Sequence, residues 1–162
     1  MKKRFSYQTK IGNIYITEDK SSIVGINFKK PLTPAEEVET LLMREAFTQI
    51  EEYLAGRRKE FRLPLKPKGT YFQEKVWEEL QKIPYGHTVS YKEIAQAIGQ
   101  PKAMRAVGQA NNKNNIAICI PCHRVISADG KLSGYAGGVK VKQFLLDLER
   151  EVIKKEGIKN AI

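Results

Sequence analysis

The sequence predicts an α/β protein in two parts. Residues 1–69 should form a small antiparallel sheet carrying one helix, and residues 70–162 a mainly helical domain. Three observations predict this. Residues 4–29 alternate apolar and polar side chains between turn signals, the two-residue period of half-buried strands. From residue 33 onward, cap signals and apolar stripes at helical spacing take over. Between the two regimes of packing lies Leu65-Lys66-Pro67-Lys68-Gly69, whose Pro and Gly mark a linker and the domain boundary. A chain of 162 residues that is 41% apolar can bury a core.

In the first part, Phe5 and Tyr7, then Ile14 and Ile16, flank an Ile11-Gly12-Asn13 turn. Glu18-Asp19-Lys20-Ser21 turns the chain into Ile23-Val24-Gly25-Ile26-Asn27-Phe28, which completes the sheet. Thr33-Pro34-Ala35-Glu36 reads as a capping box with Pro at the first helical position. The helix it opens carries Met43, Phe47, Ile50 and Leu54 on one face and stops at Gly56. A short strand is expected around Phe61 and Leu63.

In the second part, Thr70 with Gln73 caps a helix whose buried stripe is Phe72, Val76, Leu80 and Ile83, ended by Pro84-Tyr85-Gly86. Ser90 with Glu93 caps a short helix that points Tyr91, Ile94, Ala95 and Ile98 inward and stops at Gly99. Pro101 starts the next helix, with Ala103, Ala106, Val107 and Ala110 on one face and Lys102, Arg105 and Gln109 on the other. Joined by Gly99-Gln100, the pair is a helix-turn-helix. Ile116-Ala117-Ile118-Cys119-Ile120 reads as a buried strand. Ser127-Ala128-Asp129-Gly130 is a turn. Gly134-Tyr135-Ala136-Gly137-Gly138 is a loop in which the backbone can approach a ligand and Tyr135 can stack on it. A last helix over about 139–155 buries Val141, Leu145, Leu148 and Val152 and ends at Gly157.

The net charge is +10, and it is concentrated. Between Thr88 and Lys142 eight basic residues face two acidic ones, over the same stretch as the helix pair; an ordinary αα-corner with a solvated basic face fits the pattern too, but the coincidence favours a polyanion partner. No apolar stretch reaches membrane-span length, and no apolar segment follows Met1-Lys2-Lys3-Arg4-Phe5 as in a signal peptide. Two cysteines give no disulfide framework. A cytoplasmic protein with no membrane partner is expected, nuclear if the cell has a nucleus.

The chemistry is carried by Ile120-Pro121-Cys122-His123-Arg124-Val125. Pro121 ends an apolar run, so a thiol should emerge at a turn beside an imidazole and a guanidinium, groups that lower a thiol's pKa and make it a nucleophile. Cys119 and Cys122 also form a C-x-x-C, which leaves a dithiol redox pair or half a metal site open. A redox pair wants a Cys at a helix start, whereas Cys119 lies in an apolar run. A zinc site wants about four ligands, and the only other histidine is His87. No metal and no cofactor are expected.

Together these segments resemble the O6-alkylguanine-DNA alkyltransferases. Ile120 to Val125 resembles the family's active-site signature, Pro101-Lys102-Ala103-Met104-Arg105-Ala106-Val107-Gly108 its recognition helix, and Ser133-Gly134-Tyr135-Ala136-Gly137-Gly138 its active-site loop. The match runs in register from about Phe72 to Glu149. The resemblance implies a ribonuclease-H-like first domain that buttresses a winged-helix-like second one. It implies single-turnover repair of O6-alkylguanine in duplex DNA, with O4-methylthymine left open as a substrate, by a protein expected to be a monomer. Minor-groove binding would come first, then extrusion of the base.

By resemblance, Cys122 attacks the alkyl carbon, His123 is its base through a bridging water, and Glu149 orients His123. Tyr91 assists the leaving group, and Asn114 braces the helix-turn-helix against the active-site strand. Arg105 fills the gap left by the extruded base, and Lys102, Ala103, Ala106, Gln109 and Arg124 join it on DNA. Tyr135, Ala136, Gly137 and Val125 form the pocket. Many relatives have Ser where this chain has Ala136; a backbone N–H remains there to meet the O6 atom.

Overall fold

The computed structural model of the chain describes residues 1–132 and 134–160, with the side chains of 158–160 left out of the description. Ser133 of the glycine-rich loop lies outside the described residues.

Strands β1 (Lys3–Thr9), β2 (Gly12–Asp19) and β3 (Ser22–Asn27) form the expected antiparallel meander. Ile14, Ile16, Ile23 and Ile26 point from it into the core, as the two-residue alternation requires. The capping box at Thr33 does not form. Glu36 and Glu37 instead make a two-residue strand, β4, parallel to β1, in the order β3-β2-β1-β4. Thr33 is taken up by Arg4, which donates to its carbonyl at 2.8 Å and its hydroxyl at 2.9 Å. Helix α1 (Leu41–Leu54) starts seven residues later, with the Thr40 hydroxyl accepting from Met43 N at 3.1 Å. Its inward face carries Met43, Ile50 and Leu54 as expected, and Tyr53 as well.

The strand expected at Phe61 and Leu63 is absent among the described residues. What pairs is the linker itself: Ile23 N donates to Pro64 O at 2.8 Å and Lys66 N to Ile23 O at 2.9 Å. The same edge of β3 takes the segment ahead of Cys122, through Ile26 N to Asn115 O at 2.8 Å and Ala117 N to Ile26 O at 3.0 Å. One sheet edge thus closes its open hydrogen bonds on the chain around the linker and on one piece of the second part.

Helix α2 (Tyr71–Leu80) and helix α3 (Tyr91–Ala97) begin at complete capping boxes, Thr70 with Gln73 and Ser90 with Glu93. Strands β5 (Val89–Ser90) and β6 (Val125–Ile126) pair in parallel, so the chain entering α3 lies beside the chain leaving Cys122. Gly99 turns at φ +78° into α4 (Met104–Asn112). Pro101 sits in the turn before this helix rather than in its first turn. The face assignment on α4 also shifts: Val107 and Ala110 are buried with Asn111, Ala103 is half-buried, and Ala106 is exposed alongside Arg105 and Gln109. Helix α5 (Val139–Asn160) continues through Gly157. Its buried stripe is Lys142, Leu145, Leu146 and Glu149, with Val141, Leu148 and Val152 only half-buried beside it.

A single apolar cluster joins sheet, α1, α2, the helix-turn-helix and the Cys122 segment. Near its centre Trp77 is buried and donates from Nε1 to Ala110 O at 2.9 Å, fastening α2 to the second helix of the pair. A Trp77→Phe substitution removes one of that carbonyl's two donors, leaving Lys113 N at 3.1 Å, and opens a gap where the larger ring was. We expect a loss of about 2 kcal/mol of stability in urea denaturation.

Candidate active site

Two successive tight turns deliver Cys122. The stretch from Ile116 to Ile120 is buried as expected but is not a strand. After the bridge to β3, the chain reverses at Ile118, where φ is +73° and Cys119 N donates to Ala117 O at 2.8 Å. This is the strained form of γ-turn, which a β-branched residue holds only where its surroundings enforce it. Pro121 (φ −80°, ψ 64°) makes the relaxed form, closed by Cys122 N to Ile120 O at 2.8 Å. Asn114 clamps both turns: its Nδ2 donates to Ile120 O at 2.8 Å, and its Oδ1 accepts from Ile116 N at 3.0 Å. Asn111, at the end of α4, donates to Cys122 O at 3.4 Å. Asn114, two residues past α4, thus ties the chain leaving the helix pair to the turns that lead to Cys122.

Cys122, His123 and Arg124 form one turn of 3-10 helix. His123 Nε2 lies 2.7 Å from Glu149 Oε2, and because a carboxylate only accepts, Nε2 carries the proton. That leaves the lone pair on Nδ1, which is buried and has no hydrogen-bond partner among the described residues. The same Glu149 oxygen accepts from the Tyr53 hydroxyl at 2.5 Å. Its other oxygen accepts from Gly86 N at 2.9 Å and Arg124 Nε at 2.9 Å. Arg124 also reaches Glu149 Oε2 with Nη2 at 3.0 Å and donates from Nη1 to Ile83 O at 2.8 Å.

Arg124 is therefore not a DNA contact. It is buried, its donors are committed inward, and its guanidinium lies 5.6 Å from the centre of the Tyr85 ring. Fork geometry suits it to neutralise a buried carboxylate, a use that a sequence reading could not separate from phosphate binding.

Burial is the largest influence on Glu149 and would raise its pKa, but the bonds and charges of His123 and Arg124 outweigh it and hold the carboxyl at about 2. Burial likewise dominates His123 and lowers its pKa against the pull of Glu149, so the imidazole is kept neutral. Cys122 departs from expectation. It does not emerge at the turn: it is buried, and that burial pushes the thiol up to about 11. The opposing influences come from the Asn114 side chain and the charge of Lys142, rather than from His123 or Arg124.

Lys142 escaped the sequence reading, as did Tyr53. Lys142 is wholly buried and donates to Val125 O at 2.6 Å, with desolvation lowering its own pKa. A signal for both existed: Tyr53 falls on the Met43–Ile50 face, and Lys142 lies seven residues before Glu149 on one helical stripe. A polar group on a buried face must find a partner.

Of the residues expected to form the pocket, Tyr135 is the one with a link to the thiol. Tyr135 is near enough that the Cys122 charge raises its pKa, burial being the larger cause; its ring meets Phe28 at 5.6 Å and His123 at 6.5 Å. Val125 is buried, Gly137 is half-buried and Ala136 exposed. A Cβ on Gly137 would stand 2.9 Å from the Phe28 ring, and one on Gly134 (φ +62°) 2.9 Å from Asn112 Oδ1. Next to the loop, a cavity of about 570 Å³ is lined by Tyr91, Arg105, Gly108, Asn112 and Gly134 among others. Cys122 does not line it. Lys102, Arg105 and Gln109 are exposed on the same helix-turn-helix surface. Both cysteines are free and buried, and no group of three or more His, Cys, Asp and Glu among the described residues could hold a metal ion.

Acid should dismantle this cluster in two stages. His123 is depressed below 6.5, so stability falls as pH drops below 6.5, where the unfolded chain gains a proton that the folded imidazole resists. Glu149 is depressed from 4.5 to about 2, so its contribution, about 3 kcal/mol, is present above pH 4.5 and lost between there and pH 2. Thermal melts across pH should show both losses. Glu149→Gln should be less stable at pH 7, with Arg124 left unpaired, and should lack the second loss.

Comparison with known proteins agrees with the architecture. The model of the 6-O-methylguanine DNA methyltransferase ribonuclease-like domain matches residues 3–67, and that of the family's DNA-binding domain matches residues 71–151. A methylated-DNA–protein-cysteine methyltransferase of Methanosarcina acetivorans is 51% identical over 148 residues, covering 88% of this chain and 95% of its own. The constitutive enzyme of Bacillus subtilis is 45% identical over 158 residues, covering 92% and 96%. The crystal structure of a Mycobacterium tuberculosis relative in complex with DNA superimposes with a TM-score of 0.86 at 40% identity, over 93% of this chain and 94% of that one. With ribonuclease-like and DNA-binding parts both matched and relatives near half identical over almost their full length, the chain belongs to the 6-O-methylguanine DNA methyltransferase family, and its activity is DNA repair by transfer of an alkyl group to a cysteine of the protein.

Proposed function

We propose that Cys122 is the accepting cysteine and that the donor is O6-alkylguanine in duplex DNA, extruded from the minor groove. The observation that carries this reading is one buried cluster in which Glu149 fixes the His123 tautomer and leaves the Nδ1 lone pair unpartnered beside the thiol's turn. His123 Nδ1 takes the Cys122 proton through a water. The sulfur attacks the alkyl carbon, a carbon–sulfur bond forms, and the bond from that carbon to O6 breaks with its electron pair left on the guanine. Tyr91 gives a proton to the ring, so guanine departs neutral, and the proton held on His123 restores the balance through solvent. The thioether is not reversed by thiol exchange, so each molecule acts once.

On the DNA side, Arg105 lines the 570 Å³ cavity together with Tyr91, which supports a role in filling the gap left by the extruded base. Lys102, Ala103, Ala106 and Gln109 accompany it on the DNA-facing surface, where Ala106 is exposed and small enough for close approach to the groove. Tyr135, Gly137 and Val125 wall the base pocket, and Ala136 offers its N–H to O6. The protein acts as a cytoplasmic monomer.

Duplex DNA carrying one O6-methylguanine should add one methylene mass to the protein, mapping to Cys122 and saturating at one per molecule. Cys122→Ala should bind the lesion without gaining mass, and Cys119→Ser should react normally. Lesion binding without mass gain by the unaltered protein would leave a damage-recognition module instead; loss of activity in Cys119→Ser would point to dithiol chemistry. Arg105→Ala should slow transfer at least tenfold, and binding should weaken with salt as phosphate-bound counterions are released.

A further inference from the structure

We infer that Tyr53, on helix α1 of the ribonuclease-like part, is a positioning residue of the reaction: its hydroxyl shares the Glu149 oxygen that holds His123 and so limits how far the carboxylate can stabilise a charged imidazole. This rests on the reading of His123 as the base of Cys122.

Three residues converge on Glu149 Oε2: Tyr53 with its hydroxyl at 2.5 Å, His123 with Nε2 at 2.7 Å, and Arg124 with Nη2 at 3.0 Å and Nε at 3.2 Å. A carboxylate oxygen offers two lone pairs, so the three compete, and each weakens the share left to the others. Tyr53 is also the only one of them that comes from the first part of the chain. It has no room to look elsewhere. The residue is fully buried, and its ring is fixed among Phe61 at 5.5 Å, Tyr85 at 6.1 Å and His123 at 6.4 Å. Its oxygen lies 3.3 Å from His123 Nε2, close enough to stop the imidazole turning away from the carboxylate. Burial and the Glu149 charge raise the phenol's own pKa well above 10, so it stays protonated and remains a donor throughout the working range.

The groups facing His123 are Tyr53 from α1, Glu149 and Lys142 from α5, Arg124 and Cys122 from its own turn, and Tyr135 from the loop. Of the two side chains that share Oε2 with His123, Tyr53 alone can be stripped of its polar atom without deleting a charge. In Tyr53→Phe, Oε2 is left to His123 and Arg124, the imidazole–carboxylate bond tightens, and the imidazolium gains. The base is then lost at a higher pH than in the unaltered protein.

The chain has two histidines, and His87 is exposed and distant in sequence, so selective 15N-histidine NMR reads His123 with an internal control. In Tyr53→Phe the His123 titration should move upward by about half a unit or more, with His87 unmoved. The acid limb of the alkyl-transfer rate should follow it. An unmoved or downward His123 titration in folded Tyr53→Phe overturns the inference. If the rate of the unaltered protein does not track His123 at all, the base assignment fails and takes the inference with it. A purely structural tyrosine would lower the melting temperature and leave the titration where it was. Should Tyr53→Phe not fold, the unaltered protein still decides. A slowly exchanging downfield hydroxyl proton with a cross-peak to the His123 ring is expected, and its absence overturns the inference.

Discussion

The Glu149 carboxylate is the constraint on which the rest of the structure depends. It is buried, it is charged, and an unpaired charge there would be prohibitive, so every nearby element is recruited to satisfy it. Helix α1 sends Tyr53, the 3-10 turn sends His123 and Arg124, and the segment after α2 sends the Gly86 N–H. Arg124 extends the network to the Ile83 carbonyl, three residues past α2. Removing one partner leaves the others with an uncompensated charge, and this is how a carboxylate that contributes no bond to the alkyl group fixes the site's geometry.

The second constraint is backbone strain, and it sits next to the first. Ile118 at φ +73° is unfavourable for a β-branched residue, yet it is held from both sides: β3 pins Ile116 ahead of it, and Asn114 clamps Ile120 behind it. The sheet of the ribonuclease-like part therefore shapes the turn that presents the thiol. Its single-edged strand supplies hydrogen bonds, and α1 supplies Tyr53. Buttressing, the role expected of this part, describes the first contribution and leaves out the second.

Much of this was legible in the chain, for identifiable reasons. Local signals with their own chemistry were readable wherever tertiary structure agreed with them. Thr70 with Gln73 and Ser90 with Glu93 cap helices because both partners of each box lie within one turn. The same pattern at Thr33 failed because Arg4, far away in sequence, takes both of its oxygens. The Ile116–Ile120 run looked like a strand because burial without periodicity fits strand and buried turn alike. Arg124 was read as a DNA contact because nothing local distinguishes a cation facing phosphate from one facing a buried Glu149 twenty-five residues away. Lys142 and Tyr53 are hidden in the sequence because they are polar residues on buried faces that an apolar stripe alone does not mark.

The thiol's resting state follows from the same burial. A cysteine beside His and Arg was expected to be activated, but those two groups are turned toward Glu149, and desolvation holds Cys122 protonated at neutral pH. For the proposed role of Cys122, a nucleophile that acts once, this is a coherent arrangement. A standing thiolate would be spent on any passing electrophile or oxidant, whereas a buried thiol is inert. Its base is kept neutral by the same desolvation, with its lone pair available. In the proposed mechanism, proton transfer from Cys122 to His123 separates charge inside the cluster without bringing any in, and Glu149 stabilises the imidazolium as it forms. Reactivity is thereby tied to the presence of an alkyl carbon to receive the sulfur, since only carbon–sulfur bond formation offsets the cost of that charge separation.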